Sequence, residues 1–388
     1  MNSLTRWIFF AILVGAIVYG ANKYGLFGDA SVPLATPQKW GFIDHTGQMV
    51  IAPKFDAVAG CTILDGGTQG LRPTQCFHEG LAAVAVGKEW GFIDKAGKLI
   101  VPARYSFVGN FSDGLATFTI DGDSHYGFLD KAGREVIPPK FVAAQDFHNG
   151  LAAVAIEHHK FGYVDKSGKF AIEPQFDVAD VFSDGLAWVR TATSSYYVDS
   201  TGKKVIDVPV ENIPLRFSEG RACILGPQGD SGYVIDKTGA VIFRFAGRSE
   251  GVKNGIVLCL GTQPGTIYDA SGKKLAVLDS KISIQNPFSE GLCSAAMEEV
   301  TEPLTGAGWI KAGYIDSTGQ WKIRPAFYGP AQDFHDGLAA VTEWKAGPGG
   351  RRPFGFIDKS GKFTLSPRYT YAFPFSEGLA AVQVPVGK

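Results

Sequence analysis

Trp90-Gly91-Phe92-Ile93-Asp94-Lys95-Ala96-Gly97-Lys98 decides the reading of this chain, because the stretch recurs. Close copies are Trp40-Gly41-Phe42-Ile43-Asp44, Tyr126-Gly127-Phe128-Leu129-Asp130 and Phe161-Gly162-Tyr163-Val164-Asp165. Two more end at Asp316 and Asp358, and weaker ones end at Asp199, Asp236 and Asp269. A glycine follows each aspartate three residues on, from Gly47 and Gly97 to Gly361. A second motif interleaves with the first: Phe77-His78-Glu79-Gly80-Leu81, Phe111-Ser112-Asp113-Gly114-Leu115, and relatives at Phe147, Phe182, Phe217, Phe288, Phe334 and Phe375. A decayed copy is Arg248-Ser249-Glu250-Gly251. Successive aspartates lie 33 to 50 residues apart, which makes nine units of about 35 residues.

Each unit reads as a three-stranded β-meander. In the Asp94 unit the strands cover residues 81–86, 89–94 and 98–101. The aspartate carboxylate is suited to accept backbone N–H groups two residues on, and the glycine to take the left-handed conformation that closes the hairpin. Pro53, Pro102, Pro138, Pro174, Pro325 and Pro367 are expected to end the third strand, since proline cannot donate to a ladder. Such turns account for much of the glycine, 49 of 388 residues, nearly twice the usual level of about 7%.

Both faces of these strands carry apolar side chains, so a lone meander is unstable and units must stack on one another. The sequence therefore predicts an all-β tandem array preceded by one N-terminal hydrophobic helix. The array could be an open curved solenoid or a propeller-like ring. The chain enters on a middle strand at Trp40 and leaves on a first strand over residues 379–384, an offset that suits ring closure. Nine units nevertheless exceed the common four to eight blades, which favours the open array.

Residues 7–21, opening at Trp7 and closing at Ala21, form an apolar or small-residue run preceded by Arg6 and followed by Asn22 and Lys23. Fifteen residues suit a signal-peptide core better than a full span of about 20. Leu4, Tyr19, Tyr24 and Leu26 could extend the run into an anchor, and Val18-Tyr19-Gly20 is a poor cleavage site. The expectation is residues 1–30 as signal-anchor or signal peptide with a short linker, and residues 31–388 as the repeat domain. Anchoring is favoured over cleavage, with the repeats on the periplasmic or outer side of the inner membrane. Formal charge is −1, from 37 basic and 38 acidic residues, so no basic excess serves nucleic acid. No phosphate-cradling GxxxxGK[ST] motif is present, so no nucleotide is expected.

The pattern resembles the WG-repeat (KWG) family, in which a Lys-Trp-Gly-Phe-Ile-Asp-x-x-Gly-Lys core is followed by a proline and a Phe-Ser-Glu-Gly-Leu-Ala turn. Residues 39–47 and 90–98 match it closely, and the resemblance extends over residues 39–384. The units at Asp199, Asp236 and Asp269 depart from it, having lost Trp-Gly and most of the prolines, so irregular packing is expected there. The resemblance implies a bacterial exported or surface-associated binding protein tied to no particular reaction.

Motifs of catalysis and metal binding have plainer readings. Gly229-Asp230-Ser231-Gly232 is similar to a protease nucleophile turn but falls at a hairpin position and lacks an upstream histidine motif. His78, His148 and His335 occupy equivalent turns too far apart to share a metal, His158-His159 lies in a loop, and Asp121-Gly122-Asp123 lacks calcium-loop spacing. No catalysis, metal or cofactor is expected. Cys61 and Cys76 bracket a long insert of the first unit, where a disulfide would contribute about 3 kcal/mol in an oxidising compartment. Cys223, Cys259 and Cys293 fall in strands and are expected to be buried. Two further inserts lengthen hairpins near the C-terminus and carry Trp309, Trp344, Arg351 and Arg352, residue types enriched at interface hot spots. These are the candidate binding residues for a protein partner. A cell-wall glycan stacked on exposed aromatics is the alternative.

Overall fold

The hairpin aspartates show at atomic scale why the pattern repeats. The computed structural model describes residues 37–58, 62–63, 72–73, 76–120, 125–156, 160–261, 264–298, 310–329, 331–343 and 352–385. The predicted N-terminal helix lies outside these residues. Asp44 Oδ1 accepts the N–H groups of Thr46 at 2.9 Å and Gln48 at 3.0 Å, and Asp94 holds Ala96 and Lys98 in the same way. Gly97, with φ of 78°, supplies the left-handed corner. Where a serine or threonine stands two residues after the aspartate, its hydroxyl donates as well. That bond above all holds the carboxyls of Asp44, Asp165, Asp199, Asp236, Asp269 and Asp358 below their usual range.

Every regular element among the described residues is a β-strand. The repeating sheet has four strands rather than the three expected. In the Asp130 unit the order is Phe107–Val108, Leu115–Thr119, Tyr126–Asp130 and Glu135–Phe141, all antiparallel. The extra strand is only two residues long in most units, and in this one it follows the fourth strand of the preceding unit after a single residue, so hydropathy gave it no signature of its own. In one place the two are a single strand, Trp321–Tyr328, which joins successive units into one seven-stranded sheet. The turn before the second strand also holds more than expected. Its glycine has positive φ, and so does the residue before it, as at Asp113 (52°) and Gly114 (85°), which is the backbone of a type I′ hairpin.

The fourth strand does not stop at proline. Leu99–Tyr105 runs through Pro102, and opposite it the register jumps: Trp90 faces Tyr105, while Phe92 faces Val101. Four residues on the fourth strand thus span two on the third, a bulge on an edge strand, where a missing N–H costs nothing. The bulge brings the backbone onto Gly91. A Cβ there would lie 2.4 Å from the Val101 carbonyl oxygen, closer than any side chain tolerates. The glycine of Trp-Gly is therefore required by close approach, not by a left-handed turn. The same double register shift occurs in the units of Asp44, Asp130, Asp165, Asp316 and Asp358. It is absent from those of Asp199, Asp236 and Asp269, where Tyr196, Tyr233 and Thr266 replace the glycine and a single shift remains. Glycine and proline are lost together because one bulge needs both.

Core packing is between units. The third-strand aromatic of one unit meets the turn phenylalanine of the next, as in Phe92 with Phe111 (4.6 Å between centroids), Phe128 with Phe147 (4.7 Å) and Tyr163 with Phe182 (4.8 Å). Such tilted or edge-on pairs add about 0.5–1.5 kcal/mol each beyond burial. Alanines such as Ala82, Ala83, Ala152 and Ala153 are buried on both faces of the second strands and let sheets approach closely.

Hydrogen bonds also pass from turn to turn. The side chain preceding each turn glycine accepts the N–H of the equivalent glycine one unit on: Glu79 from Gly114, Asp113 from Gly150, Asn149 from Gly185, Asp184 from Gly220 and Glu219 from Gly255. Glu290 accepts from Gly337, Asp336 from Gly378 and Glu377 from Gly80. At the remaining step Asn254 donates instead to the Phe288 carbonyl. The succession returns to its first unit. Ser376 Oγ, fully buried, also donates to the Phe77 carbonyl at 2.7 Å and accepts from the Phe77 N–H at 3.0 Å. The strand order Met49–Phe55, Gln38–Ile43, Ala380–Pro385, Tyr371–Ala372 puts the first and last strands in one sheet. This pairing of the ends agrees with the phase offset read in the sequence.

Candidate functional site

The two lengthened hairpins rise from adjoining units. The first connects Cys293–Glu298 to Ile310–Ile315 and the second connects Ala339–Glu343 to Phe354–Ile357. One sheet carries both, because Phe327 and Tyr328 pair with Glu343 and Thr342, and the Thr342 hydroxyl donates to the Tyr328 carbonyl at 2.7 Å. Trp309, Trp344 and Arg351 lie outside the described residues. Arg352 is half-buried, with its guanidinium carbon 3.7 Å from the Tyr328 ring centroid. That cation–π contact fastens the second hairpin to the fourth strand of the unit before it. Packing is therefore one established role of Arg352.

Cys61 lies outside the described residues, and Cys76 is buried beside Phe77 and Phe42. Cys223, Cys259 and Cys293 are fully buried, as their strand positions suggested, with the Cys293 thiol donating to the Asn286 carbonyl at 2.9 Å, and burial pushes the Cys223 and Cys259 thiols up to about 12. Gly229 and Asp230 form the turn of a hairpin between Arg221–Leu225 and Ser231–Asp236, closed by the Gly226 N–H bonding the Ser231 carbonyl. His158, His159, Asp121 and Asp123 lie outside the described residues. Among the described residues no group of three or more metal-ligating side chains converges, and no helix is long and apolar enough to cross a membrane.

One polar cluster was not apparent from the motifs. Arg216 Nε lies 3.0 Å from both carboxylate oxygens of Asp180. Nearby, burial raises Asp146 to about 6 against the opposing pull of the Thr117 hydrogen bond and the Arg216 charge. Burial, then the Arg216 charge, lowers His148, against Asp113 and Asp180. These groups come from consecutive units, at the loop entering the Phe77-type turn. A carboxyl and an imidazole with displaced pKa values can serve acid–base chemistry, but they line neither of the clefts described next.

Both clefts fall where the Trp-Gly pattern fails. A cleft of about 330 Å³ opens between the Asp199 and Asp236 units, with Val208, Asn212, Ile224, Tyr233 and Arg244 among its walls. A smaller one, about 40 Å³, lies around Glu250, Leu258, Gln285 and Phe288. Tyr233 stands at the bulge-glycine position, and Arg244 crosses its ring at 5.1 Å. The signal for this site was the missing glycine and proline, legible in the sequence but read there only as irregular packing.

A chain of antiparallel four-stranded sheets that pack unit on unit defines an all-β repeat protein. The WG containing repeat model matches residues 40–60, 90–122, 126–157, 161–191, 313–343 and 354–384, so this is a WG-repeat protein. Five of the matched segments open on the first residue of a bulged hairpin, at Trp40, Trp90, Tyr126, Phe161 and Phe354, and the sixth opens inside one at Gly313. No curated protein matches the chain. Among solved structures, BamB from Moraxella catarrhalis aligns at 11% identity and a TM-score of 0.37, covering 71% of this chain and 95% of that one. The C-terminal WD40 domain of Sif2 aligns at 10% and 0.41, covering 81% and 94%. Hsv2 from Kluyveromyces marxianus aligns at 12% and 0.39, covering 63% and 92%. Likeness at this level carries no argument about ligand or activity.

Proposed function

We propose that this protein is a membrane-tethered, extracytoplasmic scaffold that closes into a propeller-like ring and binds a protein partner, without reaction chemistry of its own. The observation that carries the reading is the unit-to-unit succession of contacts returning from Glu377 to Gly80, together with the shared sheet of the two ends. A structure fastened at every step is a rigid platform, and rigid platforms present loops for recognition. The loops are the two lengthened hairpins, with Trp309, Trp344, Arg351 and Arg352 as anchors. Tethering by residues 7–21 would place the repeats in an oxidising compartment, where a Cys61–Cys76 disulfide would hold the first insert.

The glycan reading is disfavoured by the use already made of the repeat aromatics. Trp40 stacks on Phe373 at 5.0 Å and meets Tyr371 edge-on, which leaves its faces engaged with protein. Pull-down from envelope extract, run beside a glycan array, tests the choice. Shortening the hairpins over residues 303–309 or 347–351 is expected to reduce capture of a protein partner. Unchanged capture removes the hairpins from the site, and enrichment of a glycan without protein overturns the reading.

A further inference from the structure

We propose that Val241–Ala246, the fourth strand of the Asp236 unit, is a docking edge for an extended, acidic segment of a partner protein, which adds to the sheet as a fifth strand. The proposal rests on the scaffold reading and deepens it by naming a second surface and the form of its ligand.

An edge strand carries a row of outward N–H and C=O groups and invites another strand unless something prevents pairing. In six units the bulge and its proline do so, by bending the strand and removing a donor. The Asp236 unit has no proline in this strand and keeps only the single shift at its turn end, between Val234 and Ile235. Phe243, Arg244, Phe245 and Ala246 pair without interruption with Val234, Tyr233, Gly232 and Ser231, and the strand is the last in its sheet. Among the described residues, no further backbone hydrogen bond reaches it from outside the sheet. Its flanks are apolar and open: Val241 is 46% exposed, and Val205 and Val277 on the neighbouring fourth strands are 41% and 54% exposed.

The surroundings specify the ligand further. The 330 Å³ cleft borders the strand and offers apolar wall from Val208 and Ile224, enough for one side chain of an added strand. Arg244 stands exposed at its rim over the Tyr233 ring and makes no ion pair among the described residues. An incoming carboxylate would pair with that guanidinium, while one neighbouring side chain of the same strand enters the cleft. Main-chain hydrogen bonds would supply affinity, and the cleft and Arg244 specificity, the division of labour seen wherever strands are added to sheets.

The test uses the full chain and a fluorescent heptapeptide of alternating Val and Thr with one central Glu, beside a twin carrying Gln. The Glu peptide is expected to bind about tenfold more tightly than its twin, and Arg244→Glu, a change at an exposed position, to abolish that preference. Hydrogen exchange should show added protection over residues 243–246 and none over Glu135–Phe141, the bulged counterpart. No binding, equal binding of the twins, or protection confined to other strands would overturn the proposal. Running Arg244→Glu in the envelope pull-down separates the two readings. Partner capture without peptide binding sinks the edge alone, whereas loss of both peptide binding and all partner capture, in wild type, sinks the scaffold as well.

Discussion

Six units of this protein carry the bulge and three do not, and the contrast explains a sequence motif. In the Asp94 unit, Gly91 exists because the bulged strand lies on it, and Pro102 is tolerated because that strand is an edge. In the Asp199, Asp236 and Asp269 units the bulge is gone, so Tyr196, Tyr233 and Thr266 fit where glycine was compulsory. Yet the turn-to-turn hydrogen bonds run through both regions with one substitution, at Asn254. Stacking therefore does not depend on the motif that gives the repeat its name. What the bulge changes is the outer edge of each sheet: doubly shifted and carrying proline in six units, shifted once and without it in three.

The comparison can be broken most decisively at its glycine. Gly91→Ala would press a methyl onto backbone and is expected to cost about 3 kcal/mol or more, whereas Thr266→Ala at the matching position of an unbulged unit should cost under about 1 kcal/mol. Urea titration read by tryptophan fluorescence checks both, and equal losses would refute the close-approach account. Next in size is closure. Ser376→Ala leaves the buried Phe77 N–H and C=O without their partner and should cost about 2 kcal/mol. Ser112→Ala removes a single half-buried bond to the Phe147 carbonyl and should cost about half as much. If the two losses match, the ends are held no more firmly than any other step.

The border between the regions can be probed by pH. Asp146, raised from 3.8 to about 6, keeps its proton in the fold where the unfolded chain has released it. Its contribution to stability is therefore present below about pH 4 and lost as pH rises through about 6. Asp146→Asn should remove that loss, gaining roughly 1–2 kcal/mol relative to wild type at neutral pH over acid pH. A pH-independent difference would show that the carboxyl is not held protonated. The smallest effect is expected at Arg352→Ala, about 0.5–1 kcal/mol from the lost stacking on Tyr328, measured as a small drop in Tm.

Much of this was legible in the chain itself. The Asp-x-x-Gly turn announces its own hydrogen bonds, because carboxylate, spacing and glycine are all local. Units, core phenylalanines and the buried Cys223, Cys259 and Cys293 followed from periodicity and position. The extra first strand was not legible, since two residues such as Phe107–Val108 have no period. Nor was the fate of Pro102, because proline ends a central strand but only bulges an edge one, and edge position is a tertiary fact. The sheet shared by the two ends was signalled by their phase, a topological hint that the count of units outweighed. The polar cluster joins Asp146, Asp180 and Arg216 across three units, and no single motif contains it.

The sheet shared by both ends also imposes an order of events on a growing chain. Gln38–Ile43 and Met49–Phe55 leave the ribosome early, but the strands that complete their sheet, Tyr371–Ala372 and Ala380–Pro385, are made last. Until then the first hairpin must wait with an unpaired edge and an exposed aromatic face, the state in which strands pair wrongly. The eight units between can dock as they emerge, each on its predecessor. The native contacts between Ser376 and Phe77 span 299 residues and that between Arg368 and Gly47 spans 321, so joining the ends carries a long loop-closure delay. Shielding of the early half-sheet during synthesis is thus a requirement written into the topology.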